Sequence, residues 1–179
     1  MIENHNMEII DNYLKESEFE NIYQRVHDQC WILGRKINDN AKSEEDFQFV
    51  HYYINEGNTT YENAGEIPLS VITPYARSNN IIDGGITRAR SNLFVRTSPV
   101  ARGMGYHRDI EDSEEFMTLL LYLEDSDGET QFKETGEKVL SKRKRAVVFP
   151  SHVEHQTVSA TNVLFRSNVN INFIENHDR

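Results

Sequence analysis

The residues best suited to chemistry are a histidine and an aspartate two positions apart, His107 and Asp109, and a second histidine far downstream, His155. If the segment around His107 is a strand, both side chains of the pair point to the same face, because strand side chains alternate with a period of two. Two imidazoles and one carboxylate fill one face of an octahedral metal and leave the other positions open for reactants. The sequence therefore predicts a metal site for ferrous iron at these three residues.

A second interpretation of the pair stays open at this level. His107 and Asp109 could lie on an exposed strand and pair with each other. The other histidines without a carboxylate or histidine at ligand spacing are interpreted as ordinary surface or packing residues; they are His5, His27, His51 and His177.

Length and composition favour one folded, water-soluble domain. The chain has 179 residues, of which 37% are hydrophobic and 27% charged, enough for a core and unlike a disordered segment. It has no apolar run long enough to span a bilayer, and residues 1–6 lack the basic-then-apolar order of a signal peptide. The single cysteine, Cys30, cannot form an internal disulfide. We therefore expect a cytoplasmic protein with no membrane partner, and we expect Cys30 to be a buried structural thiol.

The formal net charge of −10 disfavours nucleic acid as a partner, because an acidic protein is repelled by the phosphate backbone. One basic run exists, at 142–145, between two strand-like segments, and it is predicted to be a solvated turn. Nothing in the sequence specifies an oligomeric state.

Residues 1–85 are predicted to be a support region of mixed helix and strand. Ser17 is expected to cap a helix that runs through His27, and a second helix is expected over 68–76. Extended segments are predicted at 30–33 and 47–54, with polar loops between these elements.

From Ile86 the pattern changes to short strands separated by turns, which predicts an all-β core over 86–175. The strongest strand covers 116–123. One of its faces is wholly apolar, with Met117, Leu119, Leu121 and Leu123, while the other carries Phe116, Thr118, Leu120 and Tyr122.

The last strand, 164–173, also has two different faces. One face carries Phe165, Val169, Ile171 and Phe173, and the other carries Arg166, Asn168, Asn170 and Asn172. If the apolar face packs against helices, the polar face looks into a barrel, where unsatisfied polar groups are costly unless they bind something. An arginine there suits a dicarboxylate, because its planar fork holds a carboxylate with two hydrogen bonds. An edge strand with a solvated polar face would give the same pattern.

Several short pieces follow one another in a fixed order: His107-x-Asp109, 118–123, Gly128-Glu-Thr, 147–151, His155 and Arg166. In this order they resemble the 2-oxoglutarate/Fe(II) oxygenases, and most of all the prolyl 4-hydroxylase branch. The resemblance covers roughly 90–173. It implies one oxygenase domain over 1–179, mainly β with N-terminal helices, built on a double-stranded β-helix, the jelly-roll barrel also found in cupins.

The resemblance also implies which residues bind Fe(II), namely His107, Asp109 and His155. His152 is a second candidate for the distal histidine. His155 is favoured because it lies eleven residues before Arg166, a spacing usual for the family, and His152 then falls in the preceding loop.

For the cosubstrate, the resemblance implies that Arg166 pairs with the distal carboxylate of 2-oxoglutarate. Tyr122 matches a tyrosine that donates its hydroxyl to the same carboxylate. Thr118 shares the strand face of Tyr122, and Asn170 shares that of Arg166, so both are predicted as further contacts.

The chain departs from the family in two places. Asp127 replaces the first glycine of the family's Gly-Gly-Glu-Thr, and Arg96 with Thr97 stands where some relatives have a tyrosine. Substrate contacts are predicted at Asn92, Arg96, Tyr106 and Arg108. The acidic loop 110–115 would lie at the mouth, which favours a neutral or cationic target such as a proline-containing or basic peptide.

The implied activity is hydroxylation of a C–H bond of a peptide, protein or small molecule. It would use O2 and 2-oxoglutarate, release succinate and CO2, and need ascorbate to keep the iron ferrous. One alternative is a nucleobase demethylase on the same fold, which usually carries a second arginine where this chain has Asn172. Another is a non-enzymatic metal-binding barrel or a cupin-like metal isomerase.

Overall fold

The computed structural model describes residues 7–35, 38, 40, 46–81, 85–111 and 115–175. Within these ranges the chain forms two helices, α1 (Glu16–His27) and α2 (Glu66–Ser78). The strands there are β1 (Glu8–Ile10), β2 (Ile32–Gly34), β3 (Gln48–Asn55), β4 (Asn58–Thr59), β5 (Ile86–Val95), β6 (Phe116–Tyr122), β7 (Glu129–Phe132), β8 (Lys138–Leu140), β9 (Ala146–Pro150), β10 (His155–Val158) and β11 (Phe165–Ile174). No helix in this part of the chain is long and apolar enough to cross a membrane.

The strands form two antiparallel sheets. The main sheet has the order β1-β9-β6-β11-β5-β3-β2, with β4 paired to β3, and the second sheet has the order β10-β7-β8. Side chains of β6 and β9 on the main sheet pack against Phe132 and Val139 of the second sheet, so the two sheets face each other across a core. The predicted architecture, mainly β with N-terminal helices, is confirmed.

The larger core lies on the other face of the main sheet, beneath the helices. The predicted apolar face of β6 (Met117, Leu119, Leu121) and that of β11 (Val169, Ile171, Phe173) both belong to it. Helix α1 contributes Phe19, Ile22 and Val26, and α2 contributes Ile67, Val71, Ile72 and Tyr75. This packing leaves the opposite faces of β6 and β11 directed between the sheets.

Strand β11 is central, because it pairs with β5 on one side and with β6 on the other. Asn168 lies between Asn92 of β5 and Tyr122 of β6 in this register. The edge-strand alternative for this segment is therefore wrong. Its four polar side chains, Arg166, Asn168, Asn170 and Asn172, are buried.

Residues 1–85 contribute more than helical support. β3 pairs with β5 and β2 extends the sheet beyond it, while β1 pairs with β9 at the other edge. The main sheet is thus completed at both edges by strands that precede the predicted core.

Both helices begin earlier than predicted. Ser17 lies inside α1, and the first turn is closed instead by Glu18, whose carboxylate accepts the backbone N–H of Lys15 at 3.2 Å. Helix α2 begins at Glu66, two residues before Pro68. The helix tolerates Pro68 because a proline in the first turn removes no intrahelical hydrogen bond.

The prediction that Cys30 is buried is wrong, because the residue is exposed. It lies in the extended connection between α1 and β2, where neighbouring side chains point in opposite directions. Trp31 packs against the main core, and this places Cys30 on the solvent side.

The basic run at 142–145 forms the predicted turn, between β8 and β9. Its charges are neutralised by acidic residues near the N terminus rather than by solvent alone. Lys142 and Arg145 both pair with Asp11, while Arg143 pairs with Glu20 and Lys144 with Glu16. The run therefore offers little unpaired positive charge to an anionic partner.

Candidate metal centre

His107, Asp109 and His155 come together at one point between the sheets. One ligand atom from each residue lies within 4.8 Å of the other two. The Nε2 atom of His107 is 4.0 Å from Oδ1 of Asp109, and the two imidazole rings are 4.5 Å apart between centroids. The Asp109 side chain is 1% exposed, so the alternative of a pair on a solvated strand does not hold.

The segment that carries His107 and Asp109 is not a regular strand. It joins the second sheet through an isolated bridge to β10, in which His107 and His155 each donate their backbone N–H to the other's carbonyl oxygen. Asp109 then donates its backbone N–H to the carbonyl of Ser151 at 3.0 Å. Gly105, just before the motif, has φ +95, and a Cβ atom there would overlap the backbone carbonyl of Asn40. This approach to the metal motif requires glycine.

Hydrogen bonds fix which nitrogen of His155 faces the site. Nδ1 is 2.9 Å from the carbonyl oxygen of Val153, which can only accept, so Nδ1 carries the proton and Nε2 keeps its lone pair. His107 has Nδ1 3.4 Å from the carbonyl of Gly105, with Nε2 on the side of Asp109. Burial and the neighbouring His155 lower the pKa of His107 to about 4, so it is neutral at pH 7. Neutral imidazoles are the form that binds metal.

The carboxylate of Asp109 is held on both oxygens. Oδ1 accepts from Arg88 at 2.6 Å, and Oδ2 accepts from Thr118, Asn170 and Asn172 at 3.0, 3.1 and 3.3 Å. Burial alone would raise the pKa of Asp109, but the positive charges around it, that of Arg88 first, outweigh burial and hold the pKa well below its usual value. The residue is therefore an ionised, oriented carboxylate. Asn172, where a demethylase would usually carry a second arginine, takes part in holding it.

Thr118, which the resemblance places at the cosubstrate, contacts Asp109 in the structure. Its register partner on β11 is Asn172, six residues from Arg166. At about 3.3 Å per residue this is roughly 20 Å, too far for contact with a carboxylate held by Arg166. The hydroxyl donates to Asp109 instead. Asn170 contacts both the candidate metal residues and the cavity. Its amide nitrogen donates to Asp109. Its side chain lines the cavity, and its Oδ1 is buried without a partner among the described residues.

A cavity adjoins the candidate metal residues, and His107 and His155 are part of its lining. It is lined by Gln48, Arg90, Asn92, Phe94, His107, Leu120, Thr130, His155, Thr157, Asn168 and Asn170. Its volume of about 20 Å³ has room for about one water molecule, so a larger ligand requires its longer side chains to change rotamer.

Arg166 lies near this cavity and is 1% exposed. Its guanidinium packs over the ring of Phe94 at 5.2 Å and makes one long hydrogen bond, from Nη2 to the carbonyl of Glu129 at 3.4 Å. Nε and Nη1 are buried without a hydrogen-bond partner among the described residues. A buried cation without an anion is costly. Tyr122, fully buried, donates its hydroxyl to Thr130 at 2.7 Å.

Gly128, the first residue of the Gly-Glu-Thr segment, lies against the side chain of Arg166. A Cβ atom at this position would lie 2.9 Å from both Cδ and Nε of Arg166. The absence of a side chain therefore leaves the space in which the arginine stem lies.

The predicted substrate residues separate into two groups. Asn92 lines the cavity and donates to Asn168 at 2.8 Å. Arg96 lies beyond the end of β5, is exposed, and donates to the carbonyl of Thr161. Tyr106 and Arg108 flank His107 but are not among the residues that line the cavity.

Two site residues, Arg88 and Arg90, were missed from the sequence. They alternate with Asn92 along β5 and therefore share its face, and this period of two was the available signal. His152 lies in the turn between β9 and β10 and is not part of the cluster that contains His155.

No protein-family model matches this chain, and no curated protein sequence matches it. Solved structures do match. A 2OG-Fe(II) oxygenase family oxidoreductase from Burkholderia pseudomallei is 11% identical with a TM-score of 0.72, over 96% of this chain and 86% of that chain. A prolyl hydroxylase from Trichoplax adhaerens, in complex with a peptide of hypoxia inducible factor, is 16% identical with a TM-score of 0.68, over 96% and 84%. A viral collagen prolyl hydroxylase from Paramecium Bursaria Chlorella virus-1, in complex with 2OG, is 12% identical with a TM-score of 0.61, over 96% and 97%.

These likenesses define the fold as the double-stranded β-helix shared by 2-oxoglutarate/Fe(II) oxygenases, as predicted. The resemblance found in the sequence is thereby confirmed at the level of the fold. It extends to 96% of the chain and so includes the N-terminal region, which the sequence motifs left unmatched. At identities of 16% or less, these likenesses establish the fold alone.

Proposed function

We propose that this protein is an Fe(II)- and 2-oxoglutarate-dependent oxygenase that hydroxylates a C–H bond of a peptide, a protein or a small molecule. The observation that carries the proposal is the meeting of His107, Asp109 and His155 close to a buried arginine with unpaired donors.

The three clustered residues fit a ferrous ion. Two imidazole nitrogens and one carboxylate oxygen are the donor set that leaves open positions for cosubstrate and O2. His155 presents Nε2 because Nδ1 is bonded to a carbonyl, and Asp109 is ionised before any metal arrives. Metal binding therefore releases few protons at neutral pH.

Arg166 and Tyr122 fit the far carboxylate of 2-oxoglutarate. The unpaired Nε and Nη1 of Arg166 can each form a two-donor fork to a carboxylate together with Nη2, whose one hydrogen bond is long. The anion would remove the penalty of a buried unpaired charge. The Tyr122 hydroxyl would turn from Thr130 to add a third donor. The unpartnered Oδ1 atoms of Asn92 and Asn170 mark further polar positions of the same cavity.

Bound iron with 2-oxoglutarate and O2 would supply the oxidation, with succinate and CO2 as products. The chain's own residues hold and shield the reactants. Arg88, Thr118, Asn170 and Asn172 keep the Asp109 carboxylate from rotating. Aromatic rings exclude water behind His155, whose ring lies 4.9 Å from that of Phe149.

A peptide is the first substrate class to test, since the Trichoplax prolyl hydroxylase of the same fold was solved with a peptide.

The test combines binding and turnover. Purified protein is incubated with Fe(II), ascorbate, 2-oxoglutarate and a library of peptides and amino acids. Succinate and products heavier by one oxygen atom are measured by mass spectrometry. We expect both, and we expect neither with H155A or R166M. A thermal shift with Mn(II) but no response to N-oxalylglycine and no 2-oxoglutarate consumption would instead indicate a metal-binding barrel without oxygenase activity.

A further inference from the structure

Strand β5 directs a second arginine, Arg90, into the cavity beside the metal residues. Arg90 lines the cavity together with His107 and His155. Its Nε is buried without a hydrogen-bond partner, and no carboxylate among the described residues lies at ion-pair distance from it. The Tyr52 side chain hydrogen-bonds Arg90.

The charges of the residues in and around the cavity do not balance, although of the charged residues only Arg90 lines the cavity itself. Arg88, Arg90 and Arg166 bring three positive charges, and Asp109 brings the one carboxylate of the metal cluster, already paired with Arg88. Bound Fe(II) would add two positive charges, and 2-oxoglutarate would remove two. Positive charge therefore remains with both in place.

Two other carboxylates, Glu124 and Glu129, act on Arg166 but are engaged elsewhere. Glu124 is engaged by Ser167 and His27, and Glu129 by Gln131 and Lys138. Both lie toward the Arg166 end of the barrel, since they contribute to the electrostatics of Arg166.

Arg90 and Arg166 serve different ends of the cavity. In the β5–β11 register Arg90 pairs with Asn170, which donates to Asp109, whereas Arg166 pairs with Phe94. Four residues separate these positions, which is about 13 Å at about 3.3 Å per residue. A diacid anchored by Arg166 would direct its other end to the metal, and Arg90 would stand beside the metal, where the oxidised molecule has to lie.

We propose that Arg90 binds an anionic group, a carboxylate or a phosphate, of the molecule that is oxidised, and so determines which substrates are accepted. This inference rests on the proposed function. It replaces the expectation of a neutral or cationic target. That expectation depended on the acidic loop 110–115, and residues 112–114 of this loop lie outside the described residues.

The experiment uses the protein loaded with Mn(II) and N-oxalylglycine. Acetate and inorganic phosphate are titrated at constant ionic strength, with sodium chloride as the compensating salt, and thermal stability is recorded. We expect a saturable rise in Tm with at least one anion, and the stronger response tells carboxylate from phosphate.

Variants assign the response to Arg90. R90M should weaken anion affinity at least about tenfold. R90K should retain part of the affinity through its point charge. R90Q replaces R90M in the comparison if R90M does not fold. R77M, at an exposed position in the last turn of α2, is the matched control and should bind as wild type. With substrates, peptides with a free terminal carboxylate should be turned over faster than their amides, and R90M should remove this difference.

Three results would overturn the inference. Wild-type protein could respond to acetate and phosphate only as it does to chloride. R90M could bind the anions as well as wild type does. R90M could abolish the response to N-oxalylglycine itself, which would assign Arg90 to the cosubstrate. If wild-type protein responds to neither Mn(II) nor N-oxalylglycine, the proposed function fails, and the inference that rests on it fails with it.

Discussion

The backbones of His107 and His155 are joined by two reciprocal hydrogen bonds, of 2.9 and 3.0 Å, although the residues are far apart in the sequence. The bridge sets the two imidazoles side by side at the end of the second sheet. The geometry of the candidate metal site thus depends on backbone pairing rather than on side-chain contacts alone.

The first prediction separates the two candidates for the distal histidine. H155A should remove one ligand and lower the affinity for Mn(II) by at least about 100-fold, since even changes to groups behind metal ligands cost up to about that much. H152A should bind Mn(II) as wild type does, because His152 lies outside the cluster. Titration calorimetry measures both. Normal binding by H155A together with lost binding by H152A would reverse the assignment.

The second prediction concerns Thr118. T118V removes the hydroxyl that donates to Asp109 but keeps the shape of the side chain. The affinity for Mn(II) should fall about 10- to 100-fold, while the affinity for N-oxalylglycine at saturating Mn(II) should change little, because Thr118 is remote from Arg166. A change in N-oxalylglycine affinity alone would support the earlier expectation of a cosubstrate contact.

The third prediction concerns Gly128. In G128A the new Cβ would displace the Arg166 stem, so N-oxalylglycine should bind at least about tenfold more weakly while Mn(II) binding is retained. G85A is the matched control, since a Cβ atom at Gly85 meets nothing within 4 Å. Both affinities can be measured by titration calorimetry. Unchanged N-oxalylglycine binding by G128A would show that Arg166 does not have to occupy this position.

The fourth prediction concerns pH and His27. Burial lowers the pKa of His27, but hydrogen bonds to Glu124 and to the Tyr23 carbonyl outweigh it, so the net pKa is raised above 6.5. A raised folded-state pKa means that the stabilisation is fully present below the unfolded-state pKa of about 6.5. It is lost as the pH rises through the higher folded-state value.

The free energy of unfolding by urea should therefore decrease over this range in wild-type protein more than in H27Q. The comparison of the two proteins cancels the opposite contribution of His107, whose pKa is lowered. Parallel pH profiles would show that the His27–Glu124 pair does not form as a charged pair.

The sequence by itself indicated the strand faces and the three residues of the candidate metal site. Alternation along 116–123 and 164–173 indicated which side chains enter the core and which lie between the sheets, because strand periodicity is a local property of the backbone. The order of His107, Asp109, His155 and Arg166 along the chain indicated the fold. Such an order can be read from the sequence because each motif is a short, contiguous segment.

Only the tertiary structure determined which side chains contact one another. That Thr118 lies opposite Asn172, that Arg88 reaches Asp109 and that Arg90 enters the cavity all depend on which strands pair and in which register. Cys30 is exposed for a similar reason, because the neighbouring Trp31 packs against the core instead. Register arises from contacts between segments distant in the chain, and a shift of one residue would send every side chain of a strand to the opposite face.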